Sequence, residues 1–370
     1  SAVGDSGSES KKESPPNFLI FLTDDQNYRS LGVSGNSVIQ TPNIDALAAE
    51  GVVFTNAFVT TSICSVNRAS LLTGQHMRRH GIEDFATPLS AEAFAQTFPA
   101  QLQTAGYVTG YLGKFAIGSP KEPWRKLSLP ENAFDHWYGF PQNLSYRQDI
   151  DGEPRYLTTV MTEQAIEFLQ QSKGGAPFVL TVAFKEPHGS YKYFDPDVPD
   201  PYSELDLPVP TTFTREHFEA LPAFLRKSLN AKDSEAWLAD PAKFQDYLRR
   251  RYRLISRADL AIGQVMSVLR DNGLDRNTVV LFTSDNGFMV GQYTLAEKWL
   301  MYEDSIRVPL IVRDPRLPPA LRGRRVDDMV LSIDIGPTLL SMAGLPAPRG
   351  MQGLDFGPLL HGKKVPWRKH

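Results

Sequence analysis

The amino-acid sequence predicts an α/β protein in which a large, mostly parallel or mixed sheet is sandwiched between helices. Short apolar runs, typical of buried strands, alternate along the chain with amphipathic segments typical of helices. The composition, with 41% hydrophobic and 22% charged residues, is that of a globular protein, and 370 residues suffice for one large domain. We find no internal repeat, and we expect a single domain over residues 17–370.

The first strand is predicted at residues 18–23, where an apolar run ends abruptly in two aspartates. Thr41, with Pro42 at the first turn, opens a helix through Ala49. Residues 186–240 are dense in Pro, Asp and aromatic residues and lack clear periodicity until late, which is typical of a long functional excursion. The other predicted strands are 107–112, 178–184, 278–283 and 308–312, and the other predicted helices are 68–74, 99–105, 156–171, 247–272 and 334–343.

Charge and hydropathy exclude two classes of partner. A net charge of -3 gives no excess of basic residues for a nucleic acid, and the longest apolar run, NFLIFL, is too short to span a bilayer. The polar residues 1–16 are predicted to form a flexible tail. Such a tail suits a chain whose export signal has been removed, so we expect a periplasmic or secreted protein.

Acidic side chains follow two of the predicted buried strands. Asp24 and Asp25 end the first, and Asp285 and Asn286 follow the strand at residues 278–283. Because sites in open α/β sheets form beyond the carboxyl ends of the strands, these two clusters can converge. The alternative is that they are turn and cap residues, which Asp and Asn often are. Together, an all-oxygen set of this kind indicates a calcium or magnesium site.

The single cysteine, Cys64, lies in the run SICSVNRASLLTG. One thiol excludes an internal disulfide and leaves two interpretations, a buried small hydrophobe or a residue retained for its chemistry. The polar and cationic neighbours, among them Asn67 and Arg68, favour the second interpretation.

In this order, strand-Asp-Asp, Cys-x-x-x-Arg with LLTG, Gly-Lys and strand-Asp-Asn-Gly resemble the type I sulfatases, a branch of the alkaline phosphatase superfamily. The resemblance runs from about Asn17 to the C-terminus and includes TPNIDALAAEGVVFTNAF, LGKF, FKEPH, TSDNG and KWLMYEDSIRVPLIV. It implies an alkaline phosphatase-like fold. It also implies hydrolysis of sulfate esters by a formylglycine, which a maturation enzyme forms from a cysteine, here Cys64.

The resemblance also implies a role for each matching side chain. A divalent cation, calcium before magnesium, would be held by Asp24, Asp25, Asp285, Asn286 and the residue at position 64. Arg68 would hold the formylglycine hydrate, Lys114 and Lys298 would grip sulfate oxygens, and His188 would protonate the leaving alkoxide. His80 is a candidate substrate contact, and we expect His76, His136, His217, His361 and His370 to be structural or exposed.

Two positions and one short segment depart from the family pattern. Val66 stands where Pro or Ala is usual in the modification signature, and Ala116 stands where many members have a histidine. Residues 291–294, Gly-Gln-Tyr-Thr, replace a common Gly-Glu-His-Gly. Members commonly continue past a Trp-Arg like that at Trp367, whereas this sequence ends at His370, so the small C-terminal subdomain is expected to be absent or truncated.

The predicted substrate is a sulfated saccharide, since the excursion at residues 186–240 carries aromatic and basic side chains that suit sugar rings and further sulfates. The same side chains equally suit packing of a long loop; they are Tyr191, Tyr193, Phe194, Tyr202, Arg215, His217 and Arg226. Two alternatives remain open. One is a phosphonate monoester or phosphodiester hydrolase with the same machinery, and the other is a non-catalytic binder of sulfated glycan.

Overall fold

The structure, a computed structural model, describes residues 14–120, 127–141, 144–189 and 191–369. Residues 1–13 of the predicted tail, and His370, lie outside the described residues. At the end of that tail, the carbonyl oxygen of Pro15 accepts a hydrogen bond from Asn277 Nδ2 and that of Pro16 accepts one from the Tyr107 hydroxyl.

The strands form one large sheet and several short ribbons. Within the described residues they are β1 (Asn17–Thr23), β2 (Val52–Phe54), β3 (Ala57–Phe58), β4 (Val108–Lys114), β5 (His136–Phe140), β6 (Arg147–Ile150), β7 (Glu153–Tyr156), β8 (Phe178–Ala183), β9 (Thr278–Ser284), β10 (Met289–Val290), β11 (Ala296–Glu297), β12 (Leu310–Arg313), β13 (Arg324–Val326) and β14 (Val330–Leu331).

The helices lie between these strands along the chain. They are α1 (Pro42–Glu50), α2 (Cys64–Thr73), α3 (Met77–His80), α4 (Ala91–Ala95), α5 (Phe98–Thr104), α6 (Leu157–Gln171), α7 (Arg215–Ala220), α8 (Ala223–Arg226), α9 (Leu229–Ala239), α10 (Pro241–Asp271), α11 (Glu303–Ile306), α12 (Ile335–Met342) and α13 (Gly357–Leu360). Short 3-10 turns occupy Gly32–Ser34, Glu131–Ala133, Leu274–Asn277, Gln292–Thr294, Pro319–Leu321 and Ser332–Asp334.

The large sheet has eight strands in the order β13-β2-β12-β9-β1-β8-β4-β5. All neighbouring pairs are parallel except the two that β12 makes, with β9 and with β2. The sheet is therefore mostly parallel with one reversed strand, which confirms the predicted fold class.

Helices cover both faces of the large sheet. They bury the side chains of β1, which are apolar on both sides of the strand. Its alternate residues Phe18, Ile20 and Leu22 join one core cluster, to which α5 and α12 contribute. The intervening Leu19 and Phe21 join a second cluster, built with α1, α6 and α10. A strand buried on both faces accounts for the continuous apolar run that the sequence shows.

The sheet topology brings the two acidic strand ends together. β1 pairs with β9 in parallel over its whole length, with Asn17 opposite Thr278 and Thr23 opposite Ser284. The residues that follow, Asp24 and Asp285, therefore leave the same edge side by side, and the Asp285 amide donates to the Thr23 carbonyl oxygen at 3.0 Å. The convergence predicted from the sequence is confirmed.

Two helices begin several residues earlier than predicted. Helix α2 begins at Cys64, ahead of residue 68, so the cysteine is its first residue. Helix α10 begins at Pro241, where the Asp240 side chain accepts a hydrogen bond from the Lys243 amide and the proline occupies the first turn. Short strands such as β2, β5 and β13 were not predicted, because three to five residues carry too little periodicity.

The excursion at residues 186–240 contains no strand among its described residues, and its later part forms α7, α8 and α9. In the described part of the chain, every helix is too short or too polar to cross a membrane.

Candidate active site

Three buried carboxylates form the base of the site. Asp24 and Asp25 directly follow β1, Asp285 directly follows β9, and all three are almost fully buried. The Asp25 backbone lies in the left-handed region, with φ of 67°, and its amide donates to Asp285 Oδ1 at 3.2 Å. Ligand atoms of Asp24, Asp25, Asp285 and Cys64 all lie within 4.8 Å of one another. We call these four residues the acidic cluster.

Cys64 reaches this cluster from the first turn of α2. Its Sγ lies 3.2 Å from Asp24 Oδ1, 3.9 Å from Asp25 Oδ1 and 2.8 Å from Lys298 Nζ. Burial, together with the charges of Asp24 and Asp285, raises the pKa of the thiol well above its ordinary value. The cysteine is thus buried like a hydrophobe but surrounded by charged groups, which favours the interpretation that it is retained for its chemistry.

The oxygen donors of the site suit a hard divalent cation. Besides the carboxylates, Asn286 contributes its Oδ1, which is buried and has no hydrogen-bond partner among the described residues. The amide nitrogen of the same side chain donates to Asp25 Oδ1 at 2.6 Å, so the orientation of the amide is set. An unpartnered buried oxygen beside three carboxylates fits the ligand preference of calcium or magnesium.

Three cationic side chains balance the carboxylates. Lys114 at the end of β4 pairs with Asp24, and Lys298, just after β11, pairs with Asp25. Arg68, on the second turn of α2, donates from Nε to Asp285 Oδ2 at 2.9 Å. Arg68 also donates to the carbonyl oxygen of Lys114, while its Nη2 has no partner among the described residues. Arg68 is only 2% exposed, so it belongs to the buried site and not to the surface of α2.

The surrounding charges shift the pKa values of the three carboxylates in different directions. Burial raises the pKa of Asp24, but Lys114, His188, Lys298 and Arg68 outweigh burial and hold it well below its ordinary value. Lys298 and His188 lower the pKa of Asp25 in the same way. For Asp285, burial and the charge of Asp24 dominate and raise the pKa to about 6, in spite of Arg68. Asp285 therefore differs from Asp24 and Asp25 in the direction of its pKa shift.

His188 lies at the edge of the cluster, in the loop after β8. Its Nε2 lies 3.7 Å from Asp25 Oδ2, and its Nδ1 lies 2.6 Å from the Gly189 carbonyl oxygen, an acceptor that assigns the proton to Nδ1. The carbonyl oxygen of His188 accepts a hydrogen bond from the Tyr146 hydroxyl at 2.8 Å. Burial lowers the pKa of the imidazole, although Asp24 and Asp25 oppose this effect. Nε2 therefore faces the site.

His80 uses both ring nitrogens within the fold. Its Nδ1 accepts from the Ile82 amide at 3.0 Å, and its Nε2 lies 3.0 Å from Ser70 Oγ. Burial lowers its pKa to about 4. His80 lies outside the acidic cluster, and its role as a substrate contact stays a prediction.

The residues that depart from the family pattern differ in burial. Val66 is fully buried in α2, and Ala116, also fully buried, has a left-handed backbone with φ of 68°. Tyr293, in the replaced segment, is 39% exposed.

The excursion contributes mostly packing. Tyr202 is fully buried, donates to or accepts from Ser256 Oγ at 2.6 Å and accepts from the Gln40 amide. Phe194 packs beneath the guanidinium groups of Arg250 and Arg253. The more exposed side chains among those predicted for a substrate rim are Tyr193, Arg215, His217 and Arg226.

Several residues that hold the site escaped sequence reasoning. Asn67 donates to the Asp285 carbonyl oxygen at 2.7 Å, and Asn230 of α9 donates to that of Lys298 at 2.7 Å. Arg251 of α10 donates to the Asp25 carbonyl oxygen and is 2% exposed. One signal was available: Arg251 stands on the apolar face of α10, in step with Leu248, Ile255 and Ile262.

We predict that Arg68→Met destabilises the metal-free protein by about 3 to 5 kcal/mol, because it leaves the buried Asp285 carboxylate without its cation. Denaturant unfolding in the presence of EDTA measures the effect. Arg155→Met is the control, since it removes a solvent-exposed pair with Glu163 and is expected to cost at most ~0.5 kcal/mol. Equal stability of the two variants would contradict the electrostatic account of the site.

Comparison with known proteins identifies this arrangement. The family model described as Sulfatase matches residues 16–345. An N-acetylglucosamine-6-O-sulfatase of Bacteroides thetaiotaomicron is 27% identical, over 96% of this chain and 73% of its own length. A Drosophila melanogaster protein named extracellular sulfatase SULF-1 homolog is 30% identical, over 95% of this chain and 32% of its own length.

Solved structures agree on the fold. A structure in complex with its substrate D-glucosamine-2-N,6-O-disulfate superposes with a TM-score of 0.75 at 25% identity, over 96% of this chain and 83% of that one. A phosphonate monoester hydrolase of Agrobacterium radiobacter superposes with a TM-score of 0.79 at 25% identity, over 95% and 79% of the two chains. Because the family match runs from the start of β1 to beyond α12 and includes every residue of the acidic cluster, we conclude that the chain belongs to the sulfatase family, within the alkaline phosphatase superfamily, and is a sulfatase.

Proposed function

We propose that this sulfatase removes sulfate from a sulfated saccharide, with a formylglycine derived from Cys64 and a bound divalent cation. The observation that carries the proposal is the position of Cys64 Sγ, which lies 3.2 Å from Asp24 Oδ1 and 2.8 Å from Lys298 Nζ. A nucleophile at this point would lie beside the proposed cation site. Lys298 is in direct contact with it, and Lys114 pairs with the neighbouring Asp24. The sugar sulfates named for a relative and for a structural neighbour support a saccharide substrate.

The cation would be held by Asp24, Asp25, Asp285 and Asn286, together with the oxygen of a modified residue 64. We propose calcium before magnesium, in keeping with the family that the sequence resembles. When bound, the cation would offset the negative charge of the ester and favour ionisation of an attacking hydroxyl. The unpartnered Asn286 Oδ1 supports the assignment, since it offers an oxygen that no described group uses.

As a hydrated aldehyde, formylglycine supplies a nucleophilic hydroxyl and a second hydroxyl that permits release of sulfate. A maturation enzyme would have to form it by oxidising Cys64. Because Cys64 is 1% exposed and Val66 fully buried, we infer that this enzyme acts before α2 packs against the sheet. The extracellular relative supports export of the protein, to the periplasm or the medium.

The cationic side chains would bind the sulfate group. Lys114 and Lys298 are buried and paired with Asp24 and Asp25, so both enter the site already charged and oriented. Preorganised cations of this kind stabilise charge on the equatorial oxygens of a transition state. Arg68 keeps Nη2 free of any described partner and would use it to orient the hydroxyls at position 64.

His188 would protonate the leaving alkoxide from Nε2, since its Nδ1 is held by the Gly189 carbonyl oxygen. Burial lowers the pKa of this imidazole and works against its protonated form, which the charges of Asp24 and Asp25 favour. At residue 116, where many family members have a histidine, this chain has a buried alanine. Any base needed for release of sulfate must therefore come from another residue.

One alternative has support of its own. The phosphonate monoester hydrolase superposes with a TM-score of 0.79, against 0.75 for the structure with the sulfated glucosamine. Backbone similarity thus does not distinguish the two activities. An assay with both kinds of ester is needed to distinguish them.

We predict that the protein, purified from a host that supplies the maturation enzyme, hydrolyses 4-nitrophenyl sulfate faster than 4-nitrophenyl phenylphosphonate. Turnover of both esters is followed at equal substrate concentration, with Cys64→Ala as the inactive control. A clear preference for the phosphorus ester would overturn the proposal in favour of the alternative. Intact-mass spectrometry of the same sample reports whether Cys64 has been converted.

We predict that His188→Ala slows sulfate esters with poor leaving groups by about 10² to 10⁴-fold and affects 4-nitrophenyl sulfate much less, since a good leaving group needs no proton. Calcium affinity is expected to stay near that of the wild type. His361→Ala, a change at an exposed histidine, is the control. An equal loss of kcat on both kinds of substrate would exclude the general-acid role.

A further inference from the structure

A second cavity lies beside the acidic cluster but does not include it. The cavity has a volume of about 550 Å³, within the range of small-molecule sites. Its walls are the loop after β1 at residues 27–37, the segment at residues 208–212 of the excursion, and residues 290–293. We call it the second cleft. Arg251 lines the second cleft and also donates to the Asp25 carbonyl oxygen, so one side chain contacts both sites.

The second cleft contains a buried carboxylate with an unused oxygen. Asp304 is fully buried and lines the cleft. Its Oδ1 accepts from Arg29 Nε at 2.9 Å, whereas its Oδ2 has no hydrogen-bond partner among the described residues. An unpartnered buried carboxylate oxygen destabilises the fold, because it has lost water without gaining a hydrogen bond. A ligand that donates a hydrogen bond there would remove this destabilisation.

Arg29 places a hydrogen-bond donor next to this acceptor. Its side chain is 55% exposed, and only Nε is occupied by a described partner, so both Nη groups are available to a ligand. The charges of Arg29 and Asp304 offset each other, so the pair favours neither an anion nor a cation. The other charged residue of the lining, Arg251, already donates to Asp25, Pro187 and Tyr191. A neutral group that both accepts and donates matches the pair, and two adjacent hydroxyls of a sugar do so.

The walls of the second cleft combine further polar groups with apolar surface. Ser34, Ser37 and Thr211 contribute hydroxyls, while Val209 and Tyr293 remain 45% and 39% exposed. An aromatic ring and an aliphatic side chain beside hydrogen-bonding groups suit a pyranose, whose C–H face is apolar and whose edge is polar.

We propose that the second cleft binds a neutral sugar unit through Asp304, Arg29 and Tyr293. This sugar unit would belong to a part of the glycan that does not react. The assignment rests on the proposed saccharide substrate. Binding at the second cleft itself requires neither a cation nor formylglycine, so it can be tested apart from catalysis.

The test is titration of the full-length protein with the unsulfated disaccharides cellobiose and N,N′-diacetylchitobiose, followed by isothermal titration calorimetry and by saturation-transfer NMR. We expect the wild type to bind at least one of them with millimolar affinity. Asp304→Asn should weaken binding about tenfold. Its amide oxygen would accept from Arg29, so an NH₂ donor would stand where the acceptor Oδ2 was. Tyr293→Ala should weaken binding about fivefold.

Two controls keep the result decisive. Phe224→Ala removes an exposed aromatic residue, 73% exposed, that does not line the second cleft, and it should bind as the wild type does. Circular dichroism reports whether Asp304→Asn folds, and Tyr293→Ala carries the test if it does not.

Each outcome bears on one proposal. No binding by the wild type, or equal binding by the wild type and by both the Tyr293 and Asp304 variants, overturns the sugar site. Turnover of 4-nitrophenyl sulfate without disaccharide binding leaves the proposed function standing, whereas binding with no turnover supports the second cleft alone.

Discussion

Three carboxylates that are buried within a few ångströms of one another repel, by about 4 kcal/mol for each pair at 4 Å and an effective dielectric constant of 20. Arg68, Lys114 and Lys298 offset this repulsion, and each comes from a different part of the chain. The parallel pairing of β1 and β9 places Asp24, Asp25 and Asp285 at one edge of the sheet, and Lys114 is the last residue of β4. The first two turns of α2 supply Cys64 and Arg68 together. The elements around the site therefore supply the cations that offset repulsion between the three carboxylates.

The groups of the site differ in how rigidly they are held. The acids and Lys114 leave strands that are buried on both faces of the sheet, and Asn67 and Arg251 fasten the backbone at Asp285 and Asp25. Lys298 depends on the excursion, because Asn230 of α9 donates to its carbonyl oxygen. His188 lies in a loop and contacts Asp25 only at 3.7 Å. Groups that would bind the cation and the sulfate are thus preorganised, whereas the proposed proton donor is positioned by loop hydrogen bonds with Gly189 and Tyr146.

Sequence reasoning succeeded where the signal is local. Asp24 and Asp285 could be predicted because each directly ends a long apolar run, and those runs are β1 and β9. Lys114, Lys298 and His188 could be assigned only through resemblance to a family, since nothing in their local sequence distinguishes them from solvated residues. Arg251 and Asp304 escaped because their roles depend on partners more than 200 residues away, at Asp25 and Arg29. Tyr202 illustrates the reverse: an aromatic residue in an irregular segment suggested a substrate rim, but its hydroxyl is used inside the fold.

The central claim is that the acidic cluster, whose three carboxylates pair with Arg68, Lys114 and Lys298, is a cation site. Isothermal titration of chelator-treated protein with calcium chloride tests it most directly, with Asp285→Asn as the variant and Asp246→Ala, at a solvent-exposed carboxylate of α10, as the control. The account predicts that the wild type and the control bind calcium with the same affinity and that Asp285→Asn, folded by circular dichroism, has lost it. Absence of calcium binding by the wild type, or wild-type affinity in Asp285→Asn, would contradict it.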